Sequence, residues 1–275
     1  MKVTMLGCGG SGGVPLIGCA CAVCRSPDPR NRRLRVSIVV ETDIGTRILV
    51  DASPDLRQQF LTHGLRTVDA VILTHAHADH LHGIDDLRSV NYHRNAPLEI
   101  WSDAATLAEV TDRFSYAFRP PRSNAGIWYA QSLVAREIAV GATTRIAGVD
   151  VGCFHQIHGG TRAPTLGLRF GAFAYSTDVR EMPEEGFAAL DGIDTWIVDC
   201  LQEEPSMGHS HLEQTLGWIA RVRPRRAVLT HMGHRLEYAD LARRLPPGVE
   251  PGHDGLVVDV PASECALAAS ANSVS

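Results

Sequence analysis

The chain alternates short runs rich in β-branched residues with longer amphipathic stretches. Strands are expected at Lys2–Leu6, Arg35–Glu41 and Arg47–Val50, each bounded by turn residues. A helix is expected over Pro54–His63, with proline in its first turn and Gly64 past its end. Asp69–Leu73 (DAVIL) reads as a buried strand, Ile84–Tyr92 and Ala104–Phe118 as helices, and Arg119–Gly126 as a surface loop. In the second half, strands are expected at Ser132–Val140, Val149–His155, Leu166–Phe170, Ala172–Ser176, Thr195–Asp199, Ala227–Leu229 and Leu256–Val260. Helices are expected there at Glu184–Leu190, Leu212–Val222 and Leu236–Arg244. Strands clustered in each half, with helices between and after them, suit an α/β fold of two sheets packed face to face with helices outside. No linker divides the middle, so residues 1–260 are expected to form one domain. Residues 261–275, mostly Ala and Ser, read as a tail.

Composition narrows the classes. With 44% hydrophobic and 21% charged residues the chain is globular rather than disordered. A net charge of −5 argues against a long nucleic-acid partner, which needs a basic surface. No apolar run is long enough to span a bilayer, and the N-terminus lacks the apolar core of an export signal, so a cytoplasmic location is expected. Seven cysteines, an odd number, then point to free or metal-bound thiols rather than disulfides. The surplus is histidine: 13 residues, more than Phe and Tyr combined.

The densest chemistry is Thr74-His75-Ala76-His77-Ala78-Asp79-His80, directly after an apolar strand. An extended segment puts His75 and His77 on one side, and the turn after it offers Asp79 and His80 to a second point. Imidazole and carboxylate donors suit Zn, Mn or Fe. Three further candidates each follow a β run: His158, Asp178 and His231. A second cluster, Cys19-Ala20-Cys21-Ala22-Val23-Cys24, supplies three thiols for a structural zinc, with His234 as the fourth ligand. Such a site would hold the long loop from Gly7 to Arg33, because metal binding substitutes for missing core. Gly7-Cys8-Gly9-Gly10-Ser11-Gly12 fits a dinucleotide fingerprint in letters, but no helix can open after it. Its glycines are expected to let the backbone pass beneath the metal site. Asp51 is expected to hold a ligand histidine in its working tautomer. Trp128 and Tyr129 read as core or lid residues.

Residues Leu73–Gly83 (LTHAHADHLHG) resemble the metal motif of the metallo-β-lactamase superfamily, with His158, Asp178 and His231 where that superfamily places its remaining ligands. The resemblance implies a four-layer αβ/βα sandwich with a dinuclear site at one edge. It implies His75, His77 and His158 on one metal, Asp79, His80 and His231 on the other, and Asp178 bridging. The loop GCGGSGGVPLIGCACAVC, Thr177-Asp178, MGHSH at 207–211, LTHMGH at 229–234 and PGHDGLVV at 251–258 resemble the PhnP-type phosphodiesterases. That likeness spans roughly residues 1–260 and is patchy between 88 and 150. It implies the Cys3His zinc site, two divalent active-site metals, and His209 (with His211 as its neighbouring alternative) and Asp79 as catalytic residues. The implied reaction opens a cyclic phosphate ester, such as a cyclic nucleotide or a phosphoribosyl cyclic phosphate, with a hydroxide shared by the two metals. A homodimer is compatible with this. Three rivals are weighed: a lactonase or thioesterase on the same scaffold; a tRNA 3′-processing nuclease, for whose long arm the nineteen residues between His158 and Asp178 leave no room; and a non-catalytic accessory protein like those of pyrroloquinoline quinone biosynthesis.

Overall fold

A computed structural model of the chain describes residues 1–94, 96–119, 133–159 and 163–261. The expectations for Trp128, Tyr129, most of the loop beginning at Arg119 and the tail beyond 261 lie outside these residues. The strands are β1 (Lys2–Gly7), β2 (Ser37–Glu41), β3 (Arg47–Val50), β4 (Ala70–Ile72), β5 (Glu99–Ser102), β6 (Val134–Glu137), β7 (Thr143–Ile146), β8 (Val149–His158), β9 (Ala163–Phe170), β10 (Phe173–Ser176), β11 (Thr195–Asp199), β12 (Arg226–Thr230), β13 (Val249–Pro251) and β14 (Val257–Asp259). The helices are α1 (Leu56–Thr62), α2 (Ala78–Leu81), α3 (Leu87–Arg94), α4 (Ala104–Arg113), α5 (Ser115–Phe118), α6 (Glu184–Ala189), α7 (Leu212–Val222) and α8 (Tyr238–Arg244).

One sheet runs β14-β1-β2-β3-β4-β5-β6 and the other β13-β12-β11-β10-β9-β8-β7. Each is half antiparallel and half parallel. In the first, β3, β4, β5 and β6 are parallel. In the second, β10, β11, β12 and β13 are parallel. Parallel strands need crossovers, which explains why the helices fall between these strands in sequence. The main core lies between the sheets, where Met5, Ile38, Ile48 and Ile72 of the first meet Phe154, Leu168, Tyr175 and Trp196 of the second. A second cluster packs Leu56, Phe60, Leu87, Val90 and Val110 of the helices against Leu49, Val71 and Ile100 on the outer face of the first sheet. The outer helices of the second sheet join the main core through Phe187, Leu216, Ile219 and Leu241. This is the sandwich expected from the strand and helix order. Among the described residues, no helix is long and apolar enough to cross a membrane.

Several boundaries differ from expectation for local reasons. The strand expected to stop at His155 continues to His158, because its pairing with β9 runs on to His158 opposite Ala163. The helix expected over Ala104–Phe118 breaks at Phe114, whose backbone (φ −117°, ψ 35°) is not helical. The helix expected from Ile84 begins as a 3₁₀ turn, Ile84–Asp86, before α3. The short β7 and β13 were not expected. The first buries only Ile146, and the second is three residues ending in proline.

Candidate metal centre

β4 delivers the histidine motif to the edge of the sandwich. His77, extended at φ −70° and ψ 151°, caps α2, whose first turn then carries Asp79 and His80. His158 closes β8, Asp178 follows β10 and His231 follows β12. All but His77 are buried. The structure brings all seven together in two groups that share Asp178: His75, His77, His158 and Asp178, and Asp79, His80, Asp178 and His231. Within each group the donor atoms lie within 4.8 Å of one another. The Asp178 carboxylate divides between them. Its Oδ1 lies 3.9 Å from His75 Nε2 and 3.6 Å from His158 Nε2. Its Oδ2 lies 3.0 Å from His80 Nε2 and 3.5 Å from His231 Nε2. Asp79 Oδ2 completes the second group, 3.4 Å from His80 Nε2 and 3.5 Å from His231 Nε2.

The residues present fit divalent cations. His75 Nε2 and His80 Nε2 are buried without a hydrogen-bond partner, yet both face the shared carboxylate. Orphaned ring nitrogens beside carboxylate oxygens are costly unless a cation takes them. The opposite ring nitrogens are held from outside. His80 Nδ1 lies 2.7 Å from Asp51, His158 Nδ1 lies 2.8 Å from the Gly208 carbonyl, and His75 Nδ1 lies 3.1 Å from the Thr74 hydroxyl. Asp51 therefore stands where the sequence placed it, against a histidine of the motif.

Electrostatics reinforce the geometry. Burial drives the His75 pKa well below the ordinary imidazole value. Burial opposes a charge on His80 too, but Asp178 and Asp51 outweigh it and raise its pKa well above that value. Burial resists ionisation of Asp178, yet His231 and His80 keep its carboxyl well below the usual range. Three residues of the centre sit in the left-handed region within two residues of a strand end: Asp51 (φ 64°), Asp178 (φ 52°) and His231 (φ 54°). Each costs about 1 kcal/mol or more in a non-glycine residue, a strain concentrated where the backbone must turn donors inward.

His209 enters the same cluster and His211 does not. The His209 ring lies 4.5 Å from His231 and 4.6 Å from His158, centroid to centroid. Burial works against its protonation, but Asp199, 3.3 Å from its Nδ1, and Asp178 raise its pKa to about 9. His211 instead stands at the N-cap position of α7, in extended backbone and with no capping bond from its side chain. Asp199 is the residue the sequence reading missed: fully buried, at the end of β11, facing both His209 and His231. Its only signal was a position after a strand, shared with many polar residues. The glycine loop passes close by, as expected; a Cβ added to Gly10 would lie 3.4 Å from His231 Cε1.

The cysteine cluster forms a separate group. Cys19, Cys21, Cys24 and His234 bring their donor atoms within 4.8 Å of one another. Cys19 Sγ and Cys21 Sγ lie 3.4 and 3.6 Å from His234 Nδ1. His234 and the backbone N–H of Cys24 draw the Cys21 thiol down to about 6, toward the thiolate that metals bind. Cys8, Cys153 and Cys200 are buried apart from it.

Residues 46–232 match the Beta-lactamase superfamily domain. The chain is 36% identical over 261 residues to an octanoyltransferase of Porphyromonas gingivalis, a match covering 93% of this chain and 51% of that protein. It is 35% identical over 125 residues to a coenzyme PQQ synthesis protein B of Methylorubrum populi, covering 41% of this chain and 40% of that protein. The chain thus spans about half the length of these curated relatives, or less. A crystal structure described as a new diphosphatase from the PhnP family superposes with a TM-score of 0.86 at 32% identity, covering 95% of this chain and 98% of that one. With its histidine–aspartate centre set at the edge of a two-sheet sandwich, the chain belongs to the metallo-β-lactamase superfamily, close to the PhnP family.

Proposed function

We propose that the chain is a metal-dependent phosphodiesterase that opens cyclic phosphate esters of ribose or nucleotides. The observation that carries this reading is the position of His209. A protonatable imidazole, its side chain 13% exposed, stands against both ligand groups with Nδ1 turned to Asp199. That leaves Nε2 to give a proton to the departing ester oxygen, and a positioned acid contributes about 10²–10⁴-fold in rate. His75, His77 and His158 would hold one divalent cation and Asp79, His80 and His231 a second, with Asp178 between them; the metals are Zn, Mn or Fe. Bound there, two such cations supply Lewis acidity and a water of lowered pKa. Asp79, whose carboxyl His231 and His80 hold below the usual range against burial, would accept a hydrogen bond from the attacking water and orient it. Cys19, Cys21, Cys24 and His234 would hold a structural zinc. We read residues 1–260 as one domain acting in the cytoplasm, alone or as a homodimer, on a small phosphodiester and not on long nucleic acid.

The PhnP-family neighbour described as a diphosphatase supports a second reading, cleavage of a diphosphate, which makes the same demands at phosphorus. A lactonase or thioesterase would use the same ligands, and the PQQ-related likeness keeps an accessory role in view. Metal-replete protein should be assayed on a 2′,3′-cyclic nucleotide, an aryl phosphodiester, a dinucleoside diphosphate, a lactone and a thioester. Turnover of the first two is expected, with His209→Ala lowering kcat about 10²–10⁴-fold at unchanged metal content. Turnover of the diphosphate alone selects the second reading, turnover of the lactone or thioester alone moves the chain to those hydrolases, and inertness on all five gives the accessory role.

A further inference from the structure

We propose that Asp199 is a positioning residue that serves two histidines at once: one carboxylate oxygen fixes His231 as a ligand, and the other fixes His209 toward the substrate. An imidazole that gives Nε2 to a cation carries its proton on Nδ1 and needs an acceptor there. His80 has Asp51, His158 has the Gly208 carbonyl and His75 has the Thr74 hydroxyl, at 2.7, 2.8 and 3.1 Å. His231 has no such bond. Its Nδ1 is buried without a hydrogen-bond partner, and Asp199 Oδ1, 3.6 Å away, is an equally buried acceptor without one. The third such atom here is His209 Nδ1, 3.3 Å from Asp199 Oδ2. Among the described residues, Asp199, His209 and His231 form one group in which each offers a donor atom within 4.8 Å of the others. A small approach of the rings satisfies all three.

The carboxylate is anchored for this task. Oδ2 accepts from the backbone N–H groups of Val179 (3.2 Å) and Ser210 (3.3 Å), which directly follow Asp178 and His209. The Asp199 carbonyl accepts from the hydroxyls of Ser210 and Thr215, at 2.7 and 2.8 Å. Asp199 therefore ties β11 to the turn that carries Asp178 and to the loop that carries His209. An amide could not replace it fully, because its NH2 would meet either a ring N–H or a backbone N–H.

The His209 half rests on the phosphodiesterase reading; the His231 half does not. The test uses the metal-loaded Asp199→Asn protein. Retention of metal against a chelator should weaken about 10–100-fold. At saturating metal, kcat for an alkyl phosphodiester, whose leaving oxygen needs a proton, should fall at least tenfold more than kcat for a p-nitrophenyl ester, whose leaving group does not. A role confined to packing would lower both esters alike. Unchanged metal retention overturns the His231 half, and an unchanged ratio between the esters overturns the His209 half. A wild-type protein inert on every phosphodiester removes the functional reading and the His209 half with it, while the chelator measurement still decides on His231. Should the variant not fold, nitrogen NMR of the loaded wild type takes its place: His231 and His209 rings with Nδ1 protonated and slow to exchange are expected, and an unprotonated or freely exchanging Nδ1 on either ring overturns that half.

Discussion

Asp51 is buried and gathers three donors onto one carboxylate. His80 Nδ1 lies 2.7 Å from Oδ2, the Thr74 backbone N–H donates to Oδ1 at 2.8 Å, and the Thr74 hydroxyl donates to Oδ2 at 2.9 Å. Because Thr74 also meets His75 Nδ1, one acid sets two rings of the histidine motif, one in each ligand group. Removing it leaves buried donors unpaired and lets His80 turn. For Asp51→Ala we expect metal affinity to fall about 10–100-fold, read by chelator competition, while His80→Ala removes a donor and abolishes binding at that group. Stability should fall as well, by about 1–3 kcal/mol in denaturant titration, for the donors left unsatisfied. A wild-type affinity in Asp51→Ala would show that the His80 ring is fixed by packing alone.

At the level of elements, the centre is assembled from the carboxyl ends of parallel strands. Asp51 follows β3, the histidine motif follows β4, Asp178 follows β10, Asp199 ends β11 and His231 follows β12; His158, ending the long antiparallel β8, is the exception. This is the general site of function in open α/β sheets. α2 is pinned behind it. The His80 carbonyl accepts from the Ala52 N–H, and the Gly83 N–H donates to the Ala52 carbonyl, both at 2.8 Å. Gly83 is required by this approach: a Cβ there would lie 2.0 Å from the Ser53 carbonyl oxygen and 2.8 Å from Leu56 Cβ, both unable to yield. Gly83→Ala should therefore cost about 1–3 kcal/mol in denaturant titration and weaken metal retention by pushing His80 from Asp51. A variant with weakened stability and intact metal retention would uncouple α2 from the site. The same placement explains what the sequence showed. His75, His77, His80 and His231 were legible because histidines follow apolar strands, and Asp178 because it shares their strand-end placement and the position of a superfamily ligand. The strands Arg47–Val50 and Thr195–Asp199 and the helix Leu212–Val222 stand as expected because each carries an unbroken apolar pattern. Asp199 was illegible because its importance comes from two loops far apart in the chain. β7 was missed because an edge strand with one buried residue carries almost no alternation.

Across the whole molecule, the glycine–cysteine loop has only a small apolar cluster of its own, Val14, Val23 and Cys24, and is closed by two buried polar side chains. Arg33 donates to the carbonyls of Gly233 (2.8 Å) and Leu236 (2.6 Å), on either side of His234. Asp254, in the turn between β13 and β14, accepts from the backbone N–H groups of Cys8 (3.0 Å) and Leu34 (2.7 Å), at the two ends of the loop. Burial raises the Asp254 pKa to about 7, even though those two bonds and the nearby Arg33 favour its charged form. In the unfolded chain the same acid titrates near 3.8. Between these values the folded state holds a proton that the unfolded state has released, so this contribution to stability is fully present below about pH 4 and is lost as pH rises through about 7. Its size is on the order of 4 kcal/mol over that range. Metal binding opposes the trend, since histidines and thiols take up cations more readily as pH rises. The comparison is therefore between the wild type and Asp254→Asn, each unfolded in denaturant at pH 5, 7 and 8.5 with metal held constant. Asp254→Asn is less stable at pH 5, because its amide cannot accept from both N–H groups, and the gap narrows as pH rises and the wild type loses its buried neutral acid. A gap that stays constant from pH 5 to 8.5 would mean that Asp254 is ionised throughout, with Arg33 and the two backbone donors outweighing burial at the seam.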